Sequence, residues 1–179
     1  MTRRPRWPLF FGLAVAIVVI DQATKALVTG ALQPGESRPI VDDLLRIVFS
    51  QNSGALFGLF KDNAAMFGIV SLGVIALIVA YHRRAGGSTY MTLTLGLLLG
   101  GAIGNMVDRL RLGYVVDFVD GGIGSVRWYT FNVADAAISL AILLLLFAAL
   151  RPSLAEPARG APRPEPAAEP HPVADGGDR

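Results

Sequence analysis

No cysteine occurs anywhere in the 179 residues, which excludes disulfide stapling, a thiol nucleophile and cysteine-ligated zinc. Histidine is nearly as scarce. There is only His82, beside an arginine pair, and His171, near the C-terminal end, so a histidine-centred triad or metal site lacks its residues. Charged residues are also few, at 17%, against about 25% in an ordinary soluble domain. The net charge of +2 is too small to imply a nucleic-acid partner. Ser71 and Ser139 lie in apolar runs, where a hydroxyl usually bonds back to its own helix, so neither is a convincing nucleophile. Nothing in the sequence requires a metal or a cofactor.

What the chain does have is apolar length. Hydrophobic residues reach 53%, and the mean hydropathy is positive even though the last thirty or so residues are polar and proline-rich. Apolar runs over about 9–28, 64–81, 91–108 and 131–150 are long enough to cross a hydrocarbon core of roughly 30 Å as helices. The first follows Arg3, Arg4 and Arg6, but it is too long for a removable signal peptide and no small-residue cleavage site follows it. Between the first two runs, Gln33-Pro34-Gly35 signals a turn and Pro39–Phe49 reads as strand or interfacial structure. His82-Arg83-Arg84 and Gly86-Gly87-Ser88 read as a short basic loop. Gly96, Gly100 and Gly104 recur every four residues, the spacing that lets membrane helices pack closely. Pro152–Arg179 cannot bury a core and is expected to be disordered. The expected organisation is therefore a membrane-embedded unit over 1–151 and a tail over 152–179. Arginines flanking the runs place both termini in the cytoplasm.

The chemistry concentrates in Leu99–Ile138. Asn-x-x-Asp occurs twice there, at Asn105–Asp108 and Asn132–Asp135, and Asp117 lies between them in Val-Val-Asp-Phe. Asp21 and Lys25, spaced i to i+4 in the first run, face the same way on a helix and are set to pair. With four spans and both termini inside, Asp21, Asp108, Asp117 and Asp135 all fall near the outer margin of the membrane. Carboxylates there are costly and are functional candidates by default. Two of them held close in a dry site share a proton, and such a pair acts as base toward water and as acid toward a leaving amine. The symmetry of the two motifs favours Asp108 with Asp135; Asp120, followed by two glycines, reads as a turn residue. A transporter is the competing class, since paired Asn-x-x-Asp motifs near glycine-rich helices also build coupling-ion sites. The clustering of acids at one face rather than at mid-membrane argues against it.

Taken together, Asp21-Gln-x-x-Lys25, Asn52-Ser-Gly54, Gly104-Asn105-x-x-Asp108-Arg109, Val116-Asp117-Phe118 and Phe131-Asn132-x-Ala134-Asp135 strongly resemble the bacterial lipoprotein signal peptidases, signal peptidase II. The resemblance runs from about Leu9 to Leu150. It implies an aspartic endopeptidase of the bacterial inner membrane, mainly α-helical. Four transmembrane helices would carry a small extracytoplasmic β-containing platform built from the Thr29–Phe60 region. Its substrates would be diacylglyceryl-modified prolipoproteins, cut just before the lipidated cysteine. The resemblance places the catalytic pair on Asp117 and Asp135 rather than on Asp108. Asp21, Lys25, Asn52, Gly54, Asn105, Asp108, Arg109, Asn132 and Ala134 would then support the site or contact substrate. Membrane lipid and inhibitors of the globomycin type are the implied partners, with no nucleic acid and a monomeric enzyme.

Overall fold

The structure is a computed structural model and describes residues 4–53, 64–85 and 87–156. Four long helices and a four-stranded sheet alternate along the chain. Helix α1 (Trp7–Ala31) leads into strands β1 (Ser37–Val41) and β2 (Leu45–Asn52). Helices α2 (Ala64–Ala85) and α3 (Thr89–Leu112) follow, then β3 (Val115–Ile123), β4 (Val126–Arg127) and α4 (Val133–Leu150). Among the described residues, α1, α3 and α4 are long and apolar enough to cross a membrane.

Helix α3 is the axis of the bundle. Its apolar window is 56% buried, against 22% for α1 and α4, because α1, α2 and α4 all pack on it. Glycine makes that possible. A Cβ on Gly100 would stand 2.7 Å from the Ile17 side chain and 2.9 Å from the Ala14 carbonyl of α1. One on Gly101 would meet the Ala134 carbonyl of α4 at 2.5 Å. The expected packing role of Gly96, Gly100 and Gly104 is therefore what the helices show, with Gly101 serving α4 on the adjoining face. Ser88 caps the start of α3 by accepting from the Met91 N–H, and Gly113, at φ +80°, ends it in a left-handed turn. Phe10, Ala14, Ile78, Met91, Leu95, Leu99 and Ala148 form the core between the helices.

All strand pairs are antiparallel, in the order β1-β2-β3-β4. A second small core of Leu32, Phe49 and Val116 seats the sheet on the end of α1. In the β2–β3 register Asn52 lies opposite Val115, and a bulge between Ile47 and Ser50 sets Ser50 opposite Asp117. The strand reading of Pro39–Phe49 thus holds, with a hairpin where it allowed an interfacial segment.

Three expectations are corrected. His82-Arg83-Arg84 is the last turn of α2 rather than a loop, where cations meet the negative end of the helix dipole. The fourth run becomes helical at Val133, because Asn132 is its N-cap. The tail does not begin at Pro152: Pro152–Leu154 forms a 3-10 turn, the Leu154 carbonyl accepts from Ser88 Oγ at 3.0 Å, and Ala155 packs on the core. The rest of that tail, together with Arg3, Gly54 and the last residues of the Thr29–Phe60 region, lies outside the described residues.

Close packing at α3 predicts a contrast between glycines. Gly101→Ala should cost roughly 1–3 kcal/mol, the range for overpacking a filled interior. Gly12→Ala and Gly73→Ala, where an added methyl meets nothing within 4 Å, should leave stability unchanged or slightly raised. Thermal unfolding in detergent reads the difference; equal midpoints for all three would contradict this packing.

Candidate active site

Lys25 organises the end of the bundle that meets the sheet. Its Nζ lies 2.8 Å from Asp21 Oδ2, one turn away on α1, and 2.8 Å from Asp108 Oδ2 on α3, with all three side chains almost fully buried. The same ammonium donates to Asn105 Oδ1 at 3.1 Å. The other Asp21 oxygen accepts the Ala134 N–H at 2.9 Å, so this carboxylate joins α1 to the first turn of α4. Asp108 takes two further donors, Gln22 Nε2 at 2.8 Å and the Val116 N–H at 3.1 Å, the second tying α3 to β3. Removing Lys25 from this buried cluster would leave two carboxylates without their cation, and breaking a buried pair typically costs about 3–5 kcal/mol.

Asp117 and Asp135 stand next to this cluster but outside it. Asp117 is carried by β3 and is 2% exposed. Its Oδ1 accepts from Asn132 Nδ2 at 2.6 Å and its Oδ2 from Asn52 Nδ2 at 2.9 Å. Asn52 reaches it because it faces Val115 across the ladder, and Val115 and Asp117 share one side of β3. Asp135 occupies the first turn of α4 in a capping box: Asn132 Oδ1 accepts the Asp135 N–H, and Asp135 Oδ2 accepts the Asn132 N–H. Asp135 Oδ1 accepts from Asn105 Nδ2 at 2.7 Å. Asn132 in turn donates to Asn105 Oδ1 at 3.2 Å, so two asparagine amides join the two carboxylates and connect both to Lys25. The Phe131 backbone exchanges hydrogen bonds with Val119, which fixes the approach to α4 against β3 and so brings Asn132 to Asp117.

The electrostatics of the two carboxyls differ. Burial raises the Asp117 carboxyl from its ordinary 3.8 to about 6, outweighing the opposing hydrogen bonds from Asn52 and Asn132; the Asp135 charge pushes the same way as burial, and Lys25 against it. Asp135 is half-buried and lies at the N-terminal end of α4, where the dipole favours negative charge. The Arg109 guanidinium donates to the Asn105 carbonyl at 3.3 Å and is electrostatically coupled to Asp135, Asp117 and Asp108.

Every described residue singled out from the sequence therefore converges on one place: Asp21, Lys25, Asn52, Asn105, Asp108, Arg109, Asp117, Asn132, Ala134 and Asp135. The apparent symmetry of the two Asn-x-x-Asp motifs does not survive, since Asn105–Asp108 lies within α3 while Asn132–Asp135 is a helix cap. Asp108, which that symmetry paired with Asp135, instead contacts Lys25, Gln22 and the Val116 N–H. Asp120 is a β3 residue paired with Arg127 at 2.8 Å, not a turn residue. Two participants went unassigned. Gln22 follows Asp21 directly and bonds Asp108, and the Tyr129 hydroxyl accepts from Asn52 Nδ2 at 3.2 Å.

Comparison with known proteins bears on this arrangement. Residues 13–151 match the family model described as signal peptidase (SPase) II. The lipoprotein signal peptidase of Geobacillus kaustophilus is 42% identical over 76% of this chain and 89% of its own length. That of Moorella thermoacetica is 38% identical over 80% and 94%. A solved structure titled as a bacterial membrane enzyme superposes with a TM-score of 0.78 at 27% identity, covering 89% of this chain and 98% of that one. With the match spanning the helices, the sheet and every carboxylate of the cluster, the chain belongs to the signal peptidase II family.

Proposed function

We propose that Asp117 and Asp135 are the catalytic pair with which this chain removes signal peptides from prolipoproteins, as an aspartic endopeptidase. The observation that carries the reading is the division of labour among the carboxylates. Asp21 and Asp108 share the Lys25 ammonium as their ion-pair partner, whereas Asp117 and Asp135 accept hydrogen bonds from the amides of Asn52, Asn105 and Asn132. An amide can orient a carboxylate without fixing its proton, which a buried ammonium would do.

Burial makes Asp117 the member that holds the shared proton at rest. Asp135, more exposed and at a helix N-terminus, then takes a proton from water. The water oxygen attacks the peptide carbonyl carbon while Asp117 gives its proton to the carbonyl oxygen. The tetrahedral intermediate collapses as the C–N bond breaks, with a proton passing to the departing amine and the pair returning to its singly protonated form. Asn52, Asn132 and Asn105 keep the two carboxylates at fixed orientation, and Arg109 supplies positive charge beside the carboxylate pair. Gly54 is assigned with Asn52 to the substrate-contacting segment.

The remaining features follow from a lipid-anchored substrate. On this reading the chain crosses the membrane four times, α2 included, with both termini in the cytoplasm and the sheet and carboxylates at the outer margin. A diacylglyceryl-modified cysteine stays in the bilayer and presents the bond preceding it at that depth. A cyclic peptide of the globomycin type would compete for the same ground. The enzyme acts as a monomer on this reading.

Cleavage of a diacylglyceryl-modified prolipoprotein by purified protein tests the assignment. Asp117→Asn and Asp135→Asn should each lower kcat by roughly a thousandfold or more with substrate binding retained, in the range expected when a group acting in the transition state is removed. Asp108→Asn should instead lower the unfolding midpoint along with activity. Turnover by Asp117→Asn would refute the pair.

A pH prediction follows from the position of the Asp117 carboxyl. Because its folded value lies above the ordinary one, the ionised form is the costly one, and the proton is lost as pH rises through about 6. The alkaline limb of kcat/KM, which reports the free enzyme, should therefore be centred near pH 6. An activity that climbs through that range would contradict Asp117 as the resting proton donor.

A further inference from the structure

At the end of the bundle opposite the carboxylates, α1 and α2 both lean on α3 but leave a gap between themselves. They meet there through rings: His82 of α2 stacks on Phe10 at 4.0 Å and stands edge-on to Trp7 at 4.8 Å. His82 is fully buried and neither ring nitrogen has a hydrogen-bond partner, so the ring serves as packing that fixes Trp7 in place. Beside it runs a groove of about 820 Å³, lined by Trp7 on one side and by Ala76, Val79, Ala80, Arg83 and Arg84 on the other. That size falls within the usual span of roughly 300–1,000 Å³ for ligand sites.

The lining has an order. Ala76, Val79 or Ala80, and Arg83 are spaced i, i+3/i+4, i+7, so one face of α2 offers a shallow trough of small side chains that ends in guanidinium. Arg84 stands one turn beyond Ala80. Both arginines are exposed, and neither has a carboxylate partner among the described residues. A trough that is apolar along its length and cationic at its mouth is complementary to one kind of molecule, an anionic amphiphile lying parallel to the helices. Trp7, an indole at the charged end, has the character of a membrane-interface anchor.

We propose that this groove binds one anionic phospholipid. Its phosphate lies on Arg83 and Arg84, and an acyl chain runs along Ala76, Val79 and Ala80 against Trp7. The lipid fills the gap between α1 and α2 and so braces the helix that carries Asp21 and Lys25. The inference rests on the membrane setting of the family and not on the catalytic assignment.

The test titrates the full-length protein in detergent with phosphatidylglycerol or with phosphatidylcholine of the same acyl chains, and reads bound lipid by native mass spectrometry. Wild type should bind phosphatidylglycerol about tenfold more tightly, the difference two guanidinium contacts confer. Arg83→Gln with Arg84→Gln should abolish that preference. Ala80→Phe keeps both charges but fills the exposed trough, and should weaken phosphatidylglycerol binding about tenfold. Both variants should still cleave substrate in detergent, which confirms that they fold. Equal affinity for the two lipids, or a preference surviving loss of both arginines, would overturn the proposal. So would unchanged binding by Ala80→Phe, which would reduce the arginines to a general positive surface. Displacement of the lipid by millimolar inorganic phosphate would show a simple anion site instead.

Discussion

One buried ammonium governs the arrangement of this protein. Lys25 stands between Asp21 and Asp108 at 2.8 Å from each, in a setting where an unpaired charge is expensive. Each carboxylate uses its remaining oxygen capacity on another element: Asp21 on the Ala134 N–H of α4, Asp108 on Gln22 and on the Val116 N–H of β3. The salt-bridged cluster thus joins three helices and the sheet at one depth. Because those bonds use the backbone N–H of the residue just before Asp117 and just before Asp135, the cluster also sets where the second pair of carboxylates can lie.

The separation of roles among the acids follows from what surrounds each. On the proposed assignment, a carboxylate against an ammonium serves as a structural tie. One held by asparagine amides keeps its orientation while its proton remains free to move. Asn132 is central here, since its backbone N–H and side chain engage Asp135 while its amide also bonds Asp117 and Asn105. The sequence Asn-x-Ala-Asp is a helix cap first, and the cap is what delivers the carboxylate to the site.

Much of this was legible in the residues. Apolar length located the helices, and the i, i+4 spacing of Asp21 and Lys25 anticipated their pairing. The regular glycines anticipated the close approach of α3 to its neighbours. What composition misjudged were the helix ends. His82–Arg84 look like a loop because they are polar, yet cations suit a helix C-terminus. Pro152 looks like the start of a tail because proline stops a helix, yet the turn it makes folds back onto Ser88. The symmetry between Asp108 and Asp135 was misleading because identical spacing means different things inside a helix and at its cap. Asp120 beside two glycines looked like a turn, and only the strand register brings Arg127 to it. Gln22 was visible only as a member of the Asp21-Gln-x-x-Lys25 motif and Tyr129 carried no signal, since their contacts depend on helix and sheet packing that spacing does not encode.

The central claim is that burial gives Asp117 the resting proton of the pair. Difference infrared spectroscopy of aspartate-labelled protein across a pH titration tests it most directly. A protonated carboxyl band that is lost with a midpoint near 6, and that is missing from Asp117→Asn but present in Asp108→Asn, is the predicted result. A band that persists unchanged in Asp117→Asn, or no protonated carboxyl at pH 5, would contradict the account.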